Sequence, residues 1–294
     1  MRLNHKTARW VNAWLLLMPA AVLMVAFTHF PIVSGFFASF FSTPRQGRPS
    51  KFVGLDNYAY MMNDSVFWQV LGNNFLYALG TIPLSVGLAL LMAVWVNGRL
   101  FGRAVVRTAY FTPTILPMIA VANIWLFFYT PQIGLLDKIR GIFGLASHSW
   151  LGDPGTALAC LMVLAVWKDA GFFMIFYLAA LQGISPELEE AAVIEGAGRW
   201  YFFRRVTLPL LMPTTLFVVV NATINSFKLV DHIFILTKGG PDNASSLLLY
   251  YIYEVAFSFW DTAYASTLTV VLLAILGGLA VTQFAYLEKR VHYQ

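Results

Sequence analysis

A dense cluster of charged side chains lies between residues 187 and 205, in a chain that is otherwise strongly apolar. Its members are four acids and three arginines: Glu187, Glu189, Glu190, Glu195, Arg199, Arg204 and Arg205. So many charges cannot lie in hydrocarbon, and the segment must therefore face water. It offers charged groups for contacts in water, whereas no set of residues typical of catalysis accompanies them.

Local signals predict that this segment is a helix, a glycine elbow and a second short helix. Ser185, Pro186 and Glu187 form a favourable helix start, with a polar cap, a proline in the first turn and an acid near the positive end. Gly196 and Gly198 then interrupt the helix, and aromatic and basic residues follow. We expect the loop, residues 182–205, to lie across one face of a membrane.

The composition indicates a membrane protein. Of the 294 residues, 59% are hydrophobic and only 11% are charged, whereas a soluble domain carries about 25% charged residues. The net charge of +5 does not indicate nucleic-acid binding, because the basic residues lie in short loops beside apolar runs, where positive charge sets topology. The single cysteine, Cys160, excludes a disulfide framework and a cysteine metal cluster.

Six apolar runs are long enough to cross a hydrocarbon core of ~30 Å. They cover residues 11–41, 67–96, 104–129, 156–181, 206–229 and 263–287. Because a helix satisfies its own backbone in lipid, we predict an all-α membrane protein with six transmembrane helices, built as one domain over residues 1–294. With the N-terminus inside, the inner segments hold 11 Lys and Arg residues and the outer segments hold 6. This bias predicts that both termini and the charged loop are cytoplasmic.

Polar side chains inside three of the runs are candidates for a solute pathway. The second run carries Asn74, Tyr77, Thr81 and Ser85 on one helical face, the fourth carries Lys168 and Asp169, and the fifth carries Asn221, Asn225, Lys228 and His232. The first face suits either a pathway or helix–helix hydrogen bonds. Lys168 and Asp169 suit either solute contact or an ion pair with a partner subunit. The last set predicts one continuous stripe that lines a translocation cavity.

Two prolines, Pro113 and Pro117, lie near the start of the third run. Each removes a backbone donor and leaves carbonyl groups free. The pair predicts either a hinge or a kink that neighbouring helices repair.

The spacing of the charged loop resembles a known family. The chain reads Glu190-Ala191-Ala192, three residues, Gly196, nine residues, Val206, one residue, then Leu208-Pro209. This resembles the EAA loop of the permease subunits of ABC importers, which usually has Ile in place of Val206 and often Asp in place of Glu195. The resemblance implies that the loop docks into a groove on a cytoplasmic ATPase subunit. The coupling residues would be Glu187, Glu190, Ala191, Ala192, Gly196, Arg199, Leu208 and Pro209.

Two outer segments are similar to the carbohydrate-type branch of that family. One is Phe52-Val53-Gly54-Leu55-Asp56-Asn57-Tyr58 and the other is Leu236-Thr237-Lys238-Gly239-Gly240-Pro241, with Thr237, Gly239, Gly240 and Pro241 as the outer-loop motif. The resemblance implies the type I ABC importer permease fold, a location in the bacterial inner membrane and uptake of a sugar or sugar-like solute by alternating access.

The same resemblance implies the partners. They are a second homologous permease, two ATPase subunits, an extracytoplasmic solute-binding protein and membrane lipid, with no nucleic acid. We expect no metal and no cofactor on this chain, because ATP and Mg²⁺ would be bound by the ATPase subunits. Consistent with this, the sequence has no G-x-x-x-x-G-K-[ST], H-E-x-x-H or G-x-S-x-G motif.

Three alternatives stay open at this point. Lys168 and Lys228 suit an anionic solute of the glycerol-phosphate or sulfonate type within the same importer class. A secondary transporter is a different class, although such proteins tend to show internal repeats and a carboxylate relay, and Asp169 is alone here. A membrane-embedded enzyme or scaffold is disfavoured by the missing catalytic motifs.

Overall fold

The computed structural model describes residues 5–45, 47–98, 102–228 and 230–287, and these residues are mostly helical. The α-helices in chain order are α1 His5–Met24, α2 Phe30–Ala38, α3 Asp56–Asn63, α4 Ser65–Asn97, α5 Arg103–Ile115, α6 Met118–Tyr129, α7 Leu135–Ile142, α8 Pro154–Gln182, α9 Pro186–Ile194, α10 Arg199–Phe202, α11 Leu208–Leu210, α12 Met212–Lys228, α13 Asp231–Leu236, α14 Leu248–Tyr253 and α15 Thr262–Leu287. Three π-helical turns are Val25–His29, Phe203–Thr207 and Glu254–Ser258. Over these ranges the predicted all-α class is confirmed.

The chain divides into two compact units. One contains the residues up to Asn63 together with Ile252–Val271, and the other contains Asp64–Tyr251 together with the chain from Leu272 onward. The interpretation of residues 1–294 as a single permease domain stays a prediction.

Five of the six predicted spans correspond to helices that are long and apolar enough to cross a membrane. These are Ala13–Ala38, Ser65–Asn97, Pro154–Gln182, Met212–Leu236 and Thr262–Ala285. The fifth begins later than the predicted residue 206, because Leu211 interrupts the helix before α12 starts at Met212. The fifth span combines α12 and α13 and ends at Leu236 instead of residue 229, whereas the ends of the other four lie close to the predicted ones.

The third span, predicted as one run over 104–129, is not a continuous helix. Helices α5 and α6 meet at a bend of 102°. Leu116 (ψ 137°) and Pro117 (ψ 141°) have extended backbones between them. The physical reason is that a proline disfavours helical geometry in the residue before it, and Leu116 precedes Pro117. The two-proline signal therefore marks a break with a large bend.

Lys168 closes the polar gap that this break opens. Its Nζ donates to the carbonyl oxygens of Pro113 at 2.8 Å and Leu116 at 2.6 Å, and it lies 3.4 Å from that of Thr114. These carbonyls have lost their helical partners, and an ammonium group satisfies several of them together. Gly171, one turn along α8, permits the close approach, because a Cβ there would lie 2.1 Å from the Tyr110 carbonyl oxygen.

In the second unit, α4 packs along α8, and α12 and α5 pack against the same pair. Two buried clusters hold these helices together. One joins α4, α8 and α12 through side chains that include Ala93, Phe173, Tyr177, Val218 and Leu211. The other joins α4, α6, α8 and α13 through side chains that include Tyr77, Val121, Leu161 and Ile233. By contrast, large apolar side chains of α1 and α2 are exposed, as expected for helices that face lipid.

In the first unit, the predicted outer segment 52–58 clamps the end of α2. Asn57 Nδ2 donates to the carbonyl oxygens of Ser39 at 2.8 Å and Phe41 at 2.9 Å. The Tyr58 hydroxyl lies 2.8 Å from Ser39 Oγ. This motif therefore has a structural role in fixing the loop to the helix that precedes it.

The segment between α6 and α8 contains a short helix, α7, and is organised around the buried carboxylate of Asp137. The Ser147 hydroxyl, the Gln132 backbone N–H at 2.7 Å and the Trp150 indole N–H at 3.0 Å all donate to it. The His148 backbone N–H donates more weakly at 3.3 Å. Trp150 is half-buried and bound to this network. Hydrogen bonds, first that of Ser147, lower the pKa of Asp137 to about 2.

We predict that Lys168→Met destabilises the protein, because methionine keeps the length of the side chain but cannot donate to the freed carbonyls. The expected loss is about 2 kcal/mol, the range for a hydrogen bond to a charged donor. Thermal unfolding in detergent or nanodiscs measures it. The matched control is Lys228→Met, which removes an exposed lysine. Equal unfolding temperatures for the two variants would show that Lys168 does not support the break.

We also predict a pH signature for Asp137. As the pH falls, Asp137 of the unfolded chain, with a pKa near 4, is protonated before Asp137 of the folded chain, whose pKa is lower. The stabilisation is therefore complete above about pH 5 and is lost as the pH falls toward about 2. The difference in unfolding temperature between the wild type and Asp137→Asn should shrink over that window. Asp242→Asn, an exposed position outside the network, controls for loss of one negative charge. A difference that stays constant down to pH 2 contradicts the prediction.

Candidate coupling segment and translocation pathway

Residues 185–209, which we call the elbow, begin with a capped helix as predicted. Ser185 Oγ accepts a hydrogen bond from the Glu187 backbone N–H at 3.3 Å. Pro186 occupies the first turn, and Glu187 and Glu189 lie near the positive end of α9. Helix α9 is thus specified by its own sequence.

The helix ends in a Schellman motif centred on Gly196. The Ala197 N–H donates to the Ala192 carbonyl at 2.8 Å, and the Gly196 N–H donates to the Val193 carbonyl at 3.1 Å. Gly196 has φ +72°, the left-handed region that glycine adopts without strain. A Cβ on Gly196 would meet no atom within 4 Å. The glycine is therefore required by backbone conformation and not by crowding.

The elbow exposes acids and large apolar side chains side by side. Glu187, Glu190 and Ala191 are exposed and Ala192 is half-buried. Val193 is 70% and Ile194 is 87% exposed. Among the residues that the structure describes, the elbow carboxylates form no ion pair. An apolar patch rimmed by unpaired charge is typical of a protein-binding surface.

The second half of the elbow lies against α4 and continues into the core. Trp200 and Phe203 stack with ring centroids 5.7 Å apart. With Arg199 they line a largely apolar groove of about 620 Å³ beside Leu90 and Leu91. Arg199 therefore lies at the edge of this groove, where its side chain is exposed to solvent.

The last predicted coupling residues connect the elbow to buried structure. Leu208 is half-buried and Pro209 is exposed in α11, whereas Thr207 and Leu211 on either side are buried. The Leu211 N–H donates to the Thr207 carbonyl at 3.0 Å. Leu211 belongs to the cluster that joins α4, α8 and α12. A continuous packed connection therefore runs from the elbow into the helix bundle.

The polar face of α4 points into the bundle. Asn74 is fully buried, its Nδ2 donates to the Ser226 carbonyl at 3.3 Å and its Oδ1 accepts from the Leu248 N–H at 3.0 Å. The Tyr77 hydroxyl lies 3.1 Å from His232 Nε2. In this conformation Asn74 and Tyr77 both form hydrogen bonds with other parts of the protein. This agrees with the interpretation that the polar face of α4 makes helix–helix hydrogen bonds.

The predicted polar stripe of the fifth span is not continuous. Asn221 and Asn225 are half-buried and Lys228 is exposed, but α12 ends at Lys228 and His232 lies buried in the separate helix α13. The interruption of the helix is the reason that the four-residue periodicity fails beyond Lys228. A solute-lining role for Asn221, Asn225 and Lys228 stays a prediction.

Lys168 and Asp169, the two adjacent charged residues of α8, have different environments. The three carbonyls of the α5 break engage Lys168, as described above, and Asp169 is half-buried. Among the described residues the two do not form an ion pair with each other, as their adjacent positions on α8 predict.

The outer-loop motif forms a tight turn tied to α4. The Gly240 N–H donates to the Thr237 carbonyl at 3.0 Å, and Ser245 Oγ donates to the Gly240 carbonyl at 2.5 Å. Gly239 has φ +78°, and the Gly240–Pro241 peptide bond is cis. Asn73 Nδ2 donates to the Asn243 carbonyl at 2.7 Å, and Gln69 Nε2 donates to that of Asp242 at 2.8 Å. The sequence did not reveal Asn73 and Gln69, because their partners are about 170 residues away.

No group of three or more His, Cys, Asp or Glu side chains in the described ranges is arranged to hold a metal ion. The described residues present an exposed elbow and a helix bundle.

Known proteins share this architecture. Residues 85–293 match the family described as "Binding-protein-dependent transport system inner membrane component". The chain is 32% identical to the lactose transport system permease protein LacF of Rhizobium radiobacter, over 95% of each chain. It is also 32% identical to the sn-glycerol-3-phosphate transport system permease protein UgpA of Agrobacterium fabrum, over 95% of this chain and 96% of the relative.

A solved structure shares the fold as well. A chain of a bacterial ABC transporter involved in the import of the acidic polysaccharide alginate superposes with a TM-score of 0.86 over 96% of each chain, at 21% sequence identity. The predicted type I ABC importer permease fold is thereby confirmed. With the matches in sequence, these findings show that the chain belongs to the family of inner membrane components of binding-protein-dependent ABC importers.

Proposed function

We propose that this permease carries a sugar or sugar-like solute across the bacterial inner membrane by alternating access, driven by two separate ATPase subunits that dock on the elbow. The observation that supports this most directly is the elbow itself. It is a self-contained helix, Schellman turn and helix with unpaired carboxylates, with Val193 and Ile194 exposed and Leu211 joined to the bundle core.

The elbow acts as a lever in this proposal. Closure of the ATPase dimer on ATP binding displaces α9, and the packed connection through Leu211 passes the displacement to α8 and α12. Because packed cores switch between discrete arrangements, a small shift at the elbow repacks the helices and opens the cavity outward. Hydrolysis then resets the bundle. ATP and Mg²⁺ stay on the ATPase subunits, and both termini and the elbow face the cytoplasm.

Three kinds of partner follow from this mechanism. A second permease subunit completes the pathway, two ATPase subunits supply the energy, and an extracytoplasmic binding protein delivers the solute, as the family description implies. Membrane lipid surrounds the exposed apolar helices.

A neutral sugar is the solute class that we favour. An anionic solute of the glycerol-phosphate type gains support from the relationship to UgpA. However, one of the two intramembrane lysines that favoured an anion, Lys168, is engaged by the α5 carbonyls, and only Lys228 stays exposed. The side-chain amides of Asn221 and Asn225 can donate hydrogen bonds to the hydroxyl groups of a sugar and accept hydrogen bonds from them.

Reconstitution tests the function. The tagged chain, purified in mild detergent from its native host, should retain ATPase subunits and a binding protein. In proteoliposomes it should take up radiolabelled sugar only with ATP and the binding protein present. Uptake by the purified chain alone, driven by a proton or sodium gradient, would make it a secondary transporter.

Gly196 provides a sharper variant within the same assay. A non-glycine residue in the left-handed region costs about 1–2 kcal/mol, whereas asparagine tolerates it better. We expect Gly196→Leu to reduce coupled uptake about tenfold or more and Gly196→Asn to retain most of it. Gly198→Leu is the matched control, because Gly198 has an ordinary φ of −68°. Membrane insertion should be unchanged in all three. Normal uptake by Gly196→Leu contradicts the role of the Schellman turn in coupling.

A further inference from the structure

Residues 41–45 and 47–52 of the first unit pair as the two arms of a small antiparallel hairpin that the function described above does not use. Isolated bridges pair Phe41 with Phe52 and Arg45 with Arg48. The Arg45 N–H donates to the Arg48 carbonyl at 3.1 Å, and the Arg48 N–H donates to that of Arg45 at 2.8 Å. Because residues directly opposite each other in such a pair share a face, both arginine side chains project from the same side of the tip.

This tip concentrates positive charge without compensation. Like charges directly opposite in an antiparallel pair repel each other. Lys51 adds a third cation, and all three side chains are exposed and form no ion pair within the described part of the chain. They border a polar cavity of about 370 Å³ with Ser42, Thr43, Pro49, Asn57 and Asp261. An external anionic group would relieve the repulsion.

The one carboxylate in this cavity is already engaged. Asp261 Oδ1 accepts from the Thr43 hydroxyl at 2.5 Å and from the Tyr264 N–H at 3.1 Å. These bonds, with that of the Ala263 N–H to Thr43 Oγ1 at 3.0 Å, fix the base of the hairpin. The opposite arm is held by the Ser42 N–H, which donates to the Lys51 carbonyl at 2.8 Å. The three cations are thus presented on a pre-organised support, which reduces the entropy cost of binding.

We propose that this basic hairpin is a docking surface for acidic side chains of the solute-binding protein. The inference rests on the proposed function, which places this loop outside the cell. Guanidinium groups pair with carboxylates through two parallel hydrogen bonds, and charge complementarity accelerates association. The cations are exposed and spread over a hairpin, which suits a protein surface better than a small anion enclosed by buried donors. The cavity wall is mostly polar, which suits carboxylates better than the acyl chains of a lipid.

Charge reversal at the tip tests the docking surface. The variants are Arg45→Glu and Arg48→Glu, in the full transporter assembled in nanodiscs, with the binding protein recovered in the purification above. We expect each to lower the association rate of the binding protein about tenfold at low salt, with a smaller difference at high salt, because screening weakens steering. ATPase activity without the binding protein should not change.

Lys138→Glu is the matched control, since it makes the same charge change at an exposed lysine in the other unit. It should leave the association rate within about twofold of the wild type, because Lys138 is not part of the basic hairpin. Equal effects of Arg48→Glu and Lys138→Glu would overturn the docking surface, as would an Arg48→Glu effect that requires anionic lipid in the nanodisc. Failure of the wild-type transporter to bind any binding protein would instead overturn the proposed function.

Discussion

A backbone N–H or C=O group inside a bilayer must find its partner within the protein, because hydrocarbon offers none. The described spans meet this demand as helices, and a break within one span and a turn in the elbow, which lies outside the spans, satisfy their backbone groups in different ways. At the break between α5 and α6, the freed carbonyls depend on Lys168 of α8. At the elbow, the carbonyls of α9 are satisfied locally through the left-handed turn at Gly196. The break is therefore held by tertiary contact, whereas the turn is independent of the rest of the bundle.

This difference bears on how the two regions contribute to transport. The elbow turn is closed by its own hydrogen bonds, and Leu211 at the end of the elbow packs among buried side chains of α8 and α12 such as Phe173 and Val218. Interiors packed at crystal-like density transmit displacement instead of absorbing it. The Tyr177 hydroxyl, which donates to Thr215 Oγ1 at 3.2 Å, adds a polar link between the same two helices. The geometry thus suits a lever at the surface and a responsive bundle behind it.

What the sequence predicts well is what local interactions determine. The Ser185 cap and the Gly196 elbow depend on neighbours within a few residues, and the spans depend on length and composition, so both are readable from the chain alone. The partners of buried polar residues are not. Asn74 bonds to groups 152 and 174 residues away, and Lys168 bonds to carbonyls 52–55 residues away. For this reason the residues predicted to line a pathway include some whose polar atoms are occupied by the protein itself. The prolines of the third span predicted a disruption, but the sequence did not reveal that Lys168 of α8 supplies the donor for the freed carbonyls.

In the proposed mechanism the elbow faces the cytoplasm and is covered there by an ATPase subunit. Cys160 is the single cysteine and is buried, so Glu190→Cys introduces one accessible thiol. Labelling by a membrane-impermeant maleimide should occur in inside-out vesicles stripped of peripheral ATPase subunits, and re-addition of those subunits should protect the thiol. Labelling from the exterior face, or labelling that is the same with and without the ATPase, would contradict the account.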